Sequence, residues 1–146
     1  MLRSFIETTP TWVTLPLRLA LGAVFIGHGA QKVFGVWGGP GLEKWISGQA
    51  PLGLRPAALW LAVAAFSELI GGALVLLGLL TRVGALAIAG VMIVAMIGVH
   101  WSGGFFLQSR GIEYTVVLLA MAVALVIAGG GHFSADAKFA SPRRRR

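Results

Sequence analysis

Residues 57–101 read AALWLAVAAFSELIGGALVLLGLLTRVGALAIAGVMIVAMIGVHW, and Glu68, Arg82 and His100 are the only ionisable side chains among them. Two apolar runs, about 57–80 and about 83–101, flank Thr81-Arg82. Each has the ~20 residues an α-helix needs to cross a ~30 Å hydrocarbon core at ~1.5 Å per residue. Lipid offers no water to the backbone, so each run must satisfy its own hydrogen bonds and is a helix. The two-residue separation at Thr81-Arg82 folds them into an antiparallel hairpin. Small residues (Gly71, Gly72, Gly84, Ala85 and Gly90) are expected to let helix backbones approach closely, since apolar burial gives no drive between helices in lipid.

The same pattern extends outward to about 15–36 and about 112–131, giving four spans. The whole chain of 146 residues is 57% hydrophobic and 12% charged, with a mean hydropathy of +0.85. A soluble domain carries about 25% charged residues, so too little polar surface remains to coat a globule in water. Disorder, a disulfide scaffold and a cytosolic enzyme are excluded on this count, and the absence of cysteine removes thiolate chemistry. The expected fold is an all-α membrane protein, a single four-transmembrane-helix antiparallel bundle (residues 1–146) ending in a basic tail at 138–146. The first span is too long for a signal peptide, has no convincing cleavage site, and is expected to be retained.

The links differ in character. Residues 35–56 are rich in Gly and Pro, and within them 40–49 reads as a short interfacial helix with Leu42, Trp45 and Ile46 on its apolar side. Trp37, Trp45, Trp60, Trp101 and Tyr114 gather near one membrane boundary. They read as an aromatic belt, or alternatively as a stacking wall for a ring-shaped ligand. Basic residues set the direction: Arg3, Arg18, Arg82, Lys138 and the run 143–146 lie on the side of the termini, against Lys32, Lys44, Arg55 and Arg110 on the other. Both termini are therefore expected to be cytoplasmic, a choice that the terminal arginines decide. The excess charge suits anionic headgroups of the lipid bilayer, and with no aromatic-studded basic face nucleic acid is not an expected partner.

Ionisable groups inside spans cost roughly 2.5–3.5 kcal/mol each on insertion scales, so each marks a candidate site. Glu68 lies eleven residues into the second span, about 16 Å deep by helical rise, beyond the reach of snorkelling. It must be protonated, paired, or facing a polar cavity. His28, Gln31 and Lys32 share one helix face at i, i+3 and i+4, beside the first half of the second helix. His100 closes the third helix on that side and Glu113 opens the fourth. These groups are expected to converge on one region with Glu68 at its floor, with Lys32 or His28 as its partner. Register-fixing by such a pair is the simpler use; ligand or proton handling is the other. Arg18, Arg82 and Asp136 are expected to form a structural charge cluster at the opposite boundary. No metal-ligand spacing, phosphate-cradling loop or dinucleotide fingerprint occurs, and His28 and His100 differ in depth by about 9 Å or more, which argues against a shared haem.

Several of these residues together resemble the DoxX family of small bacterial membrane proteins. The carriers are Arg18, Gly29 and Lys32, then Glu68-Leu69-Ile70-Gly71-Gly72, then Gly78-Leu79-Leu80-Thr81-Arg82, then His100, Glu113 and the closing Gly129-Gly130-Gly131 with Ser134 and Asp136. The resemblance implies the bacterial cytoplasmic (inner) membrane and association with other membrane or soluble redox proteins. On that footing the chain is expected to be a redox-linked subunit of a membrane oxidoreductase complex, without activity of its own. The plausible electron carrier is a bound quinone, oriented by His28, Gln31 and Lys32, with Glu68 and Lys32 handling protons and His100 and Glu113 nearby. The alternatives are a non-catalytic membrane anchor or scaffold for a soluble partner, and a small proton-coupled transporter. Homo-oligomerisation is compatible with the sequence.

Overall fold

The computed structural model describes residues 6–140. Arg3 and the run 143–146, on which the orientation expectation leans, lie outside the described residues. Helices follow in the order α1 (Thr14–Phe34), α2 (Gly41–Ile46), α3 (Ala57–Leu77), α4 (Thr81–Ala95), α5 (Glu113–Ala128) and α6 (Ala135–Ala140). A π-turn at Met96–His100 and a 3-10 turn at Trp101–Gly103 prolong α4. No strand occurs among the described residues. α1 packs on α3, α3 on α4, α4 on α5, and α5 returns to α1. Leu21, Phe25, Val75, Ile88, Leu118 and Leu125 form the buried centre between them.

Two helices are long and apolar enough to cross a membrane, Ala57–Leu77 and Thr81–Gly103. Thr14–Phe34 qualifies only together with Val36–Gly53, across a break that bends the path by 101°. Glu113–Ala128 is apolar but has 16 residues, fewer than the expected 112–131 span. It stops because the chain turns at Gly129, whose φ of 75° and close approach to Thr8 require glycine.

α1 and α3 touch through glycine. A Cβ on Gly29 would lie 2.5 Å from the Leu69 nitrogen, one on Gly22 2.8 Å from the Leu76 Cβ, and one on Gly72 2.8 Å from the Ile26 nitrogen. Gly71 and Gly84 pack back to back in the same way between α3 and α4. Gly90, expected to share in this packing, has nothing within 4 Å of the Cβ position and faces open space instead. The hairpin also turns earlier than its sequence suggests. Gly78 takes the left-handed C-cap conformation that ends α3, and Thr81 and Arg82 already belong to the first turn of α4.

The reason lies far along the chain. The Asp136 carboxylate accepts from the Leu80 N–H (2.7 Å), the Thr81 N–H (2.9 Å) and the Thr81 hydroxyl (2.7 Å), and so caps α4 from α6. The Arg18 guanidinium donates to the carbonyls of Val75, Leu76, Gly130 and Phe133 at 3.0–3.3 Å, and Arg82 donates to the Glu7 carbonyl at 3.1 Å. The three residues thus meet at one end of the bundle, but each holds backbone groups and no ion pair joins them. Thr14 adds a further bond to the Gly130 carbonyl at 2.9 Å. Asp136→Ala is expected to lower stability by about 2 kcal/mol, as a charge-assisted helix cap is lost. Asp136→Asn should retain part of that, in thermal unfolding of the detergent-solubilised protein.

Candidate functional site

The opposite end of the bundle is built differently. α1 ends at Gly35, which takes a φ of 71°, and the chain folds back so closely that a Cβ on Gly39 would lie 2.4 Å from the Gln31 carbonyl oxygen. This reversal lays α2 against α1 and α3. The Trp45 indole N–H then donates to the Leu61 carbonyl at 2.8 Å, fixing the ring. The Lys32 ammonium sits 4.9 Å from the centroid of that ring, within cation–π range. Lys32 also donates to Glu68 Oε2, forming the ion pair that the depth of Glu68 demanded. It is the one ion pair among the described residues, and its side chains are 17% and 5% exposed. Close packing at Gly29, one turn before Lys32, brings the two side chains together across the α1–α3 contact.

This pair borders a cleft of about 960 Å³ between the ends of α1, α3, α4 and α5 and the 40–54 segment. Its walls are mainly apolar, with Phe25, Leu61, Val91 and Leu118 among them. Polar side chains in the lining are His28, Lys32, Lys44, Gln49, Ser67, Glu68, His100, Tyr114 and Thr115. Among the expected site residues, His28, Lys32, Glu68 and His100 therefore share one cleft. The His100 Nδ1–H donates to the Arg110 carbonyl at 2.8 Å, which orients its ring. Gln31 and Glu113 do not line the cleft. The Gln31 amide turns to the Trp37 carbonyl at 3.5 Å, drawn by the chain reversal above it. The Glu113 carboxylate accepts the Leu107 N–H at 2.9 Å and braces the loop before α5.

Gln49, Ser67 and Thr115 line the cleft without having been singled out in the sequence, whereas Trp45, Trp60 and Tyr114, read there as a belt or a stacking wall, all border it. Leu42, Trp45 and Ile46, at helical spacing, carried the signal, since an apolar face on a short helix must cover something. Whether it covered lipid or the Lys32–Glu68 pair depended on the Gly39 reversal. The π-turn at Met96–His100 was also illegible; Gly98 within it lets the Pro51 and Leu52 side chains pack directly on the backbone, 2.7 and 3.0 Å from the Cβ position.

Long apolar helices, close glycine contacts and a sequestered ion pair beside a cleft define a small helical membrane protein. The chain belongs to the DoxX family, whose model matches residues 13–101, the segment that holds His28, Lys32, Trp45, Glu68 and His100. A Bacillus subtilis protein named "Putative oxidoreductase CatD" is 32% identical over 123 residues, 84% of each chain. An uncharacterized protein of Haemophilus influenzae is 32% identical over 107 residues, 66% of this chain and 70% of its own. No solved structure matches the chain.

Proposed function

We propose that this DoxX protein is a redox-linked subunit of an oxidoreductase complex in the bacterial cytoplasmic membrane, whose cleft binds a quinone. Four crossings by α1, α3, α4 and α5 are part of the reading, with both termini cytoplasmic. Exposed apolar side chains on all four helices support it: Leu19 on α1, Ile70 on α3, Ile93 on α4 and Ile127 on α5. The observation that carries the ligand reading is the Lys32–Glu68 pair bordering a mainly apolar cleft. A volume of about 960 Å³ falls within the roughly 300–1,000 Å³ of small-molecule sites, where a few placed polar groups orient an apolar ligand. The CatD relative's name, an oxidoreductase, agrees with the redox part of the reading.

A quinone supplies reversible uptake of electrons and protons when bound. The chain's own part is to orient and to hold protons. The Lys32 ammonium, fixed by Glu68 and the Trp45 face, presents donor capacity to a ring carbonyl. His28 and His100 lie within the same walls, and the Glu68 carboxylate is placed to accept a proton. Titration of the purified protein with a short-chain benzoquinone, followed by tryptophan fluorescence or calorimetry, tests the reading. Saturable binding is expected in the wild type, weakened at least tenfold by Lys32→Met and by Glu68→Gln. No binding to the wild type overturns it.

A further inference from the structure

We infer that the cleft takes its ligand sideways from the bilayer, and that the ligand is an amphiphile with one polar ring or head and a single long alkyl chain lying along the α3–α4 seam. This rests on the reading of the cleft as a ligand site in a membrane. α3 and α4 are clamped at the hairpin end, where a Cβ on Gly84 would lie 2.8 Å from the Gly71 carbonyl oxygen. Toward the cleft they part, and Gly90 has no atom within 4 Å of the Cβ position. Val63 and Leu86, 46% and 52% exposed, stand with Gly90 around the cleft between the two helices. Both are apolar side chains on the surfaces that the four-span reading turns toward lipid.

The cleft does not stop at that gap. A second groove of about 330 Å³ shares Val63, Ser67 and Ala87 with it and continues along the same seam to Leu74 and Val83. A compact polar solute fits the cleft alone and leaves this groove unused. A ligand with one chain fills both, its head at Lys32–Glu68 and its chain passing Ser67 and Ala87 toward the hairpin. Because Lys32 is already paired with Glu68, the head needs hydrogen-bond acceptors rather than a net charge.

The test uses the full chain in nanodiscs and a long-chain alcohol carrying a diazirine in its chain, with crosslinks mapped by mass spectrometry. Label is expected on Ser67, which the cleft and the groove share, and on Leu74 farther along the groove. It should fall at least fivefold in Gly90→Phe, where the added ring has room but fills the gap. Leu86→Ala, which widens the gap, should keep or raise it. Decyl-substituted benzoquinone should displace the label, whereas the methyl homologue at equal concentration should not. Absence of label in the wild type, or label unchanged in Gly90→Phe, overturns the inference whatever the quinone titration shows. Label lost in Gly90→Phe but indifferent to decyl benzoquinone keeps the lateral chain site and removes the quinone.

Discussion

Lys32→Met is expected to lower the unfolding free energy by about 3–5 kcal/mol, because removing one partner strands the other charge in a buried place. Glu68 is the deeper partner, at 5% side-chain exposure against 17% for Lys32. Glu68→Gln should therefore cost less, since the ammonium left behind keeps the Trp45 face and a path to the cleft mouth. The double variant Lys32→Met with Glu68→Leu should recover most of the loss, to within about 1 kcal/mol of the wild type, as no charge remains to be desolvated. Unfolding in mixed micelles of rising denaturing-detergent content reads wild type, Lys32→Met, Glu68→Leu and their double variant as one cycle, with Glu68→Gln measured beside it. Single variants each costing under about 1 kcal/mol would mean a solvated pair, in the range of surface ion pairs. In that event the cleft floor is wet and the orienting role of Lys32 is lost. A recovered double variant that still binds no quinone would instead separate stability from function at this pair.

Gly29→Leu is the second large effect. The Cβ alone would lie 2.5 Å from the Leu69 nitrogen and 2.6 Å from its Cα, and backbone cannot swing aside as a side chain can. Overpacking a close contact costs about 1–3 kcal/mol and occasionally more, so a loss of about 3 kcal/mol is expected, with Gly29→Ala toward the lower end. The consequence reaches the site, because Gly29 sits one helical turn before Lys32 and Leu69 follows Glu68. Forcing the helices apart should weaken quinone binding at least as much as Lys32→Met does. Gly27→Ala, on the same helix with nothing within 4 Å of its Cβ, is the matched control and should change neither quantity by more than a little. A Gly29→Leu protein of wild-type stability would show that α1 and α3 do not depend on this contact.

Much of the site was legible because depth alone restricts what a carboxylate in the middle of an apolar helix can do. Glu68 needed a partner, and helical spacing put Lys32 and His28 on the facing surface. What could not be read was the phase of short segments under tertiary control. Gln31 shares a face with Lys32, yet the chain reversal at residues 35–39 turns its amide away. Glu113 stands near the cleft in sequence terms, but a free loop N–H at Leu107 captures it first. The hairpin turn moved three residues earlier because Asp136, more than fifty residues away, caps α4 at Thr81.

The sequence by itself determined the membrane class, the helical runs and the demand for a counter-charge at Glu68, since these follow from composition, period and the cost of burying charge. Tertiary structure alone decided that Lys32 answers that demand, that Trp45 backs it, and that α3 and α4 part at Gly90 to leave a gap. The division has one physical reason. Local sequence sets the phase and length of a helix, whereas the distance between helices is set by which glycines meet which backbone.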